Sequence, residues 1–178
     1  MKALLLAATL LGSLAHADTA SVSAGGFLVT HRKDVQATPQ QVFEAIGRVD
    51  RWWSGRHSYS GDAAKLSLEL SGGGCFCERW DGGSVQHAQV IGVGKDAYVR
   101  LQGALRPLQE LAVTGVLTFS VKAVEGRTQL SVTYRVAGAA DGGLEKWAGP
   151  VDRVIGEQVG RLAAYVDTGK PDGATGAR

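Results

Sequence analysis

The chain has 178 residues, a formal net charge of +2 and no block of like charges, which argues against a surface built for nucleic acid or an anionic membrane. With an N-terminal leader set aside, about 160 residues remain, enough for one domain that buries roughly two-thirds of its unfolded surface.

The leader is the first element in chain order. Met1-Lys2 gives a short positive start, Ala3 to Leu14 is apolar apart from Thr9, Gly12 and Ser13, and Ala15-His16-Ala17 has the small-x-small pattern of a signal-peptidase site. The apolar run is shorter than the roughly 20 residues a membrane-spanning helix needs; a buried N-terminal helix is the alternative. Residues 1–17 are therefore expected to be a signal peptide. The mature protein would be periplasmic or secreted, with no membrane insertion after cleavage.

Gly26 to Gln36 alternates loosely and predicts a first strand. Thr38-Pro39-Gln40-Gln41 predicts a helix start, with Thr38 as cap, Pro39 in the first turn and Gln41 three residues after the cap. Val42, Phe43 and Ile46 form a short apolar face, Val49 to Trp53 supplies one more turn, and a polar loop runs from Ser54 to Ala63. Glycine-punctuated strands follow over Lys65–Leu70, Cys75–Asp81, Ser84–Val93 and Ala97–Gly103, with Asp81-Gly82-Gly83 as a hairpin signal. After the loop at Arg106-Pro107 come two long strands, one carrying Val113, Leu117, Phe119 and Val121 and the other Leu130, Val132, Tyr134 and Val136, joined by Glu125-Gly126-Arg127.

Pro150 cannot sit in a helix interior without losing a bond and crowding the preceding turn. Leu144 to Ala148 therefore reads as a separate turn, with the main helix starting near Pro150. Val151, Val154, Ile155, Gln158, Leu162 and Tyr165 recur at three- and four-residue steps and share one face, opposite Arg153, Glu157 and Arg161. Apolar residues are lost from Asp167 onward, so the domain is expected to span residues 18–167, with a frayed tail over 168–178. The fold class that follows is α+β: a curved antiparallel sheet of about seven strands around a long C-terminal helix, with two short helices after the first strand. A curved sheet gripping one helix tends to leave a lined gap between them, which is a ligand pocket.

Cys75 and Cys77 are the two cysteines. In an exported protein they invite a disulfide. Two residues apart in a strand, their Cα atoms would lie roughly 6.5–7 Å from each other, at the upper limit for a bridge. A free pair, buried or facing the pocket, is the expectation and a bridge the alternative. His31, His57 and His87 show no spacing that would complete a metal site with them, so neither metal nor cofactor is expected.

Together, Gly26 to Ile46 with A-T-P-Q-Q-V-F-E-A-I, W-W at Trp52-Trp53, G-G-C-F-C-E at Gly73 to Glu78 and V-D-R-V-I-G-E-Q-V-G-R-L at Val151 to Leu162 resemble the START-like superfamily with the helix-grip fold. The branch they resemble is the activator-of-heat-shock-ATPase-like group of polyketide-cyclase relatives, the SRPBCC domain proteins. The resemblance covers Phe27 to about Asp167. It implies the helix-grip fold and one of several roles, since the superfamily includes lipid carriers, hormone receptors, cyclases and chaperone regulators. The signal peptide departs from the mostly cytosolic members and argues against a heat-shock-chaperone partner.

Residues expected to line the pocket are Trp52, Trp53, Phe76, Glu78, His87, Phe119, Tyr134, Val154 and Gln158. Glu78 shares a strand face with Phe76 and Trp80; turned inward, its carboxyl would have a raised pKa suited to acid/base work. His87 on the neighbouring strand would be its partner if it faced in beside Val85 and Ile91, or a surface histidine otherwise. Gln158, a buried amide, must bond either the sheet backbone or a ligand. Three functions remain open. The first is a module, monomeric or weakly dimeric, that holds a small hydrophobic or aromatic molecule. The second is a cyclase- or hydrolase-type enzyme using Glu78 and His87, and the third is an interaction protein with a filled interior. A cavity above about 300 Å³ would separate the first from the third.

Overall fold

The computed structural model describes residues 18–172; the expected signal peptide and residues 173–178 of the tail lie outside the described residues. Strands β1 (Asp18–Ser23) and β2 (Gly26–Val35) precede helices α1 (Pro39–Gly47) and α2 (Val49–Trp52). Then come β3 (Leu66–Leu68), β4 (Cys75–Trp80), β5 (Gly83–Gly94), β6 (Tyr98–Gln102), β7 (Thr114–Val124), β8 (Arg127–Ala137) and α3 (Glu145–Thr168). The eight strands form one antiparallel sheet in the order β1-β2-β8-β7-β6-β5-β4-β3. This is the α+β helix-grip fold, with one strand more than expected. The added strand, Asp-Thr-Ala-Ser-Val-Ser, lacks an alternating apolar set and forms by pairing with β2. The two short helices consequently follow the second strand.

Local chemistry accounts for the helix ends. Gln41 N–H donates to Thr38 Oγ1 at 3.3 Å and Thr38 N–H to Gln41 Oε1 at 2.8 Å, a reciprocal cap with Pro39 in the first turn. Helix α3 corrects the expectation of a break at Pro150, because it runs unbroken from Glu145 through Thr168. Pro150 lies in the second turn, where its missing N–H costs one bond, to the carbonyl of Lys146. Gly149 before it has no Cβ to meet the proline ring. Asp167, the last residue expected in the domain, is the penultimate residue of the helix, and its Oδ1 accepts from Gln36 N–H at 2.8 Å.

Two covers lie on the sheet. Helix α3 lies mainly along β2, and α1 and α2 reach β7 and β3. The approach of α3 to β2 is close: a Cβ on Gly156 would lie 2.8 Å from His31 Cε1, so a larger residue there would displace the imidazole. Between the covers and the sheet the core is continuous, with Trp52, Phe119, Val132, Ile155, Val159 and Leu162 all buried. These side chains fill most of the space between sheet and helix, and the gap expected there narrows to a small open pocket near the N-terminal end of α3.

Strand β5 carries two register shifts. Phe76 pairs with Ala88 and Cys77 with Gln86, leaving His87 as the extra residue; Val90 pairs with Leu101 and Gly92 with Arg100, leaving Ile91 as the second. A bulge lets consecutive side chains share a face. His87 and Ala88 are both buried as a result, while Ile91 is turned out and 47% exposed. The alternation that grouped His87 with Ile91 is broken there.

Cys75 and Cys77 form a disulfide, against the expected free pair. Their Cα atoms are 5.4 Å apart, well inside the range for a bridge and shorter than a regular strand allows. The contraction lies opposite the first bulge of β5, where two steps of β4 face three of β5.

Candidate functional site

Two constellations carry the residues of interest. The first is built around Glu78, in the middle of β4, one strand in from the β3 edge of the sheet, and 0% exposed. Its Oε2 accepts from Tyr59 N–H at 2.9 Å and lies 3.0 Å from His87 Nε2, and its Oε1 accepts from Ser60 N–H at 2.5 Å. His87, 4% exposed, sits between the rings of Phe76 and Tyr59, at centroid distances of 4.9 and 5.9 Å. The expected carboxylate–imidazole pair therefore exists, brought about by the bulge. Burial pushes the Glu78 carboxyl up, but hydrogen bonds from Ser60, the Tyr59 N–H and His87 outweigh it and hold its pKa below the ordinary value. This reverses the raised pKa expected from sequence. Burial pushes His87 down, and the neighbouring carboxylate only partly offsets that. At neutral pH the pair is a carboxylate accepting from a neutral imidazole, with both carboxylate oxygens committed to the loop between α2 and β3.

That loop is tied on every side. Ser54 N–H donates to Gln158 Oε1 at 2.8 Å; Arg56 Nη2 and His57 Nε2 lie 2.9 and 3.0 Å from the two carboxylate oxygens of Glu157. Arg106 Nη1 donates to Ser58 O at 3.0 Å with its guanidinium 4.9 Å from the centre of the Tyr59 ring, and Tyr59 Oη donates to Gln109 Oε1 at 2.8 Å. Gln158 thus bonds loop backbone, not the sheet, and its Nε2 is buried without a partner among the described residues. Glu157 and Arg161, read as the solvent side of the helix, serve as anchors. Arg161 Nε donates to Trp52 O at 2.8 Å.

The second constellation is a pocket of about 100 Å³, open on one side, near the N-terminal end of α3. Its walls are Leu105, Arg106, Pro107 and Leu108 from the β6–β7 connection, Tyr134 from β8, and Trp147, Pro150, Val151, Val154 and Ile155 from α3. Tyr134 fixes the geometry: its hydroxyl accepts from Leu105 N–H at 2.9 Å and donates to Gly103 O at 3.2 Å, and burial pushes its pKa up to about 12. A Cβ on Gly115 would lie 2.7 Å from that ring, so the glycine lets β7 pass beneath it. A wider groove of about 490 Å³ lies between α1 and the last turns of α3, with Glu44 and Arg48 on its walls.

Of the residues expected to meet a ligand, Tyr134 and Val154 line the apolar pocket. Trp52 and Phe119 pack edge to face in the core, Trp52 Nε1 donates to Ala45 O at 2.8 Å, and Trp53 packs on Phe76. Glu78, His87 and Gln158 belong to the loop network. Sequence reasoning missed Arg106, Trp147 and Pro150. The signal it had was a proline inside an amphipathic run, read as a boundary instead of as a wall. Among the described residues no group of three or more His, Cys, Asp or Glu is placed to hold a metal ion.

No protein-family model matches the chain, and no curated protein matches it in sequence. Solved structures do match it in fold. DynU16, from the dynemicin biosynthetic locus, superposes with a TM-score of 0.59 at 20% identity over 81% of this chain and 48% of its own, so the chain spans about half the length of that protein. CalU16 from Micromonospora echinospora gives 0.55 at 12% identity over 79% of this chain and 74% of its own. The Aha1 dimer from Colwellia psychrerythraea gives 0.51 at 17% identity over 80% and 98%. Identities this low carry the fold and not the activity.

Proposed function

We propose that the protein is a START-like binding module that takes a compact apolar guest into the pocket between α3 and the β6–β7 connection. The observation that carries this reading is the pocket itself: walls of leucine, valine, isoleucine, proline and aromatic carbon with Arg106 beside them, open on one side, at the end of a continuous core of buried side chains. Its volume of about 100 Å³ suits one ring or a branched aliphatic group and is too small for a drug-sized molecule. The commitment of Glu78 to loop N–H groups, and of His87 to Glu78, supports binding over acid/base catalysis, since neither lines this pocket. We further read Met1 to Ala17 as a signal peptide and the protein as periplasmic or secreted, a monomer or weak dimer. Amino-terminal sequencing of protein recovered outside the cytoplasm should begin at Asp18, and recovery of chains beginning at Met1 alone would refute export.

The binding reading is tested by two-dimensional amide NMR with toluene as probe. Saturable shifts should centre on Leu105, Val151 and Val154, and Val154→Trp, which fills the pocket from its half-exposed side, should abolish them while leaving thermal unfolding cooperative. Shifts absent from these positions at saturating toluene would overturn the reading.

A further inference from the structure

We propose that the guest is an acid: a single ring or branched aliphatic chain ending in a carboxylate, with its apolar body in the pocket and its charged end on Arg106. The inference rests on the binding reading above and deepens it. Arg106 is the one charged residue on the pocket wall, and it makes no ion pair among the described residues. Its guanidinium is nevertheless held in place, by the Tyr59 ring at 4.9 Å and by one hydrogen bond to Ser58 O at 3.0 Å. A guanidinium has five N–H donors in a planar fork. One is spent on Ser58, and the rest of the fork remains for a carboxylate, which it matches in a bidentate way. Holding the side chain beforehand lowers the ordering cost of binding.

A second donor borders the pocket. Trp147 also lines the pocket, and its Nε1–H is buried with no acceptor among the described residues. A buried donor left unpaired is costly, and a carboxylate oxygen that reached it would remove that cost. The pocket's other polar group, the Tyr134 hydroxyl, already both accepts and donates, so it offers a guest little. A neutral hydrocarbon would fill the pocket, leave the Arg106 fork to water and leave the Trp147 donor without an acceptor. A cation would meet Arg106 as a like charge. The arrangement therefore selects a small apolar anion.

The test compares benzoate with toluene by amide and indole NMR on the full chain. Benzoate should shift the Trp147 indole N–H together with Leu105 and Val154, and its affinity should weaken as salt rises while that of toluene does not. Arg106→Gln should weaken benzoate binding at least tenfold more than toluene binding. Arg127→Gln, the same charge change at the exposed start of β8, should leave both alone. Should Arg106→Gln fail to fold, the salt dependence on the unaltered chain still decides. Benzoate and toluene binding alike, with no salt dependence, would overturn the acid while leaving the pocket intact. Neither probe shifting the pocket signals would overturn both.

Discussion

Glu78 shows how a residue suited to catalysis can be spent on structure. A buried carboxylate is tolerated only when hydrogen-bonded, and this one takes two loop N–H groups and an imidazole. Glu78→Gln keeps the shape but sets an NH₂ against an N–H, so it should cost about 2–3 kcal/mol in denaturant unfolding. The pH dependence has a definite sign. His87 is lowered from 6.5, so the unfolded chain binds its proton more readily; the stability from a neutral His87 is complete above pH 6.5 and is lost as pH falls toward the folded value. Glu78 is lowered from 4.5, so its contribution is present above 4.5 and is lost at still lower pH. The melting temperature should thus decline on acidification in two stages, and His87→Gln should flatten the upper stage. An unaltered profile in that variant would mean His87 is not buried neutral.

At the scale of elements, the loop between α2 and β3 has an inner and an outer fastening of unequal strength. The outer one, Glu157 with Arg56 and His57, is partly exposed, and pairs of that kind contribute about 0–1 kcal/mol. Burial pushes Glu157 up, yet its bonds to His57, Arg56 and Ser54 hold it below its usual range. Glu78 supplies the inner fastening. Hydrogen exchange at Ser60 N–H should therefore speed by about 30- to 150-fold in Glu78→Gln and by less than about fivefold in Glu157→Gln. Equal acceleration in the two variants would contradict the ranking. The elements also show what could be read beforehand. The cap at Thr38, the β7 and β8 inner faces and the helix stripe were legible because each is a local pattern. His87, the disulfide and β1 were not, because each depends on pairing across strands: a bulge in β5 turns His87 inward, the contraction of β4 joins the cysteines, and β2 recruits a polar segment. The pocket likewise joins the β6–β7 connection to the start of α3, and no spacing within either segment announces the other.

For the whole molecule, stability rests on α3 closing the sheet. Ile155 and Leu162 are 2% and 0% exposed against a core that runs from β2 to β4. Ile155→Ala should cost about 2–4 kcal/mol, with fluorescence of the tryptophans and far-ultraviolet dichroism reporting one transition. A negligible loss would mean that the helix is not docked as described. Because the interior is filled and the open space lies at one end, guest binding should leave the global architecture unmoved and act on the junction of α3 with the β6–β7 connection.

The link between Cys75 and Cys77 encloses a single residue, Phe76. Cross-links stabilise mainly in proportion to the logarithm of the loop they close, and for so short a span the chain-entropy gain is only about 1.5 kcal/mol. A reductant should leave the protein folded, with altered amide signals confined to β4 and the facing bulge of β5. The same polypeptide should then be obtainable in native form from a thiol-rich compartment, without the oxidative folding machinery that exported proteins often require.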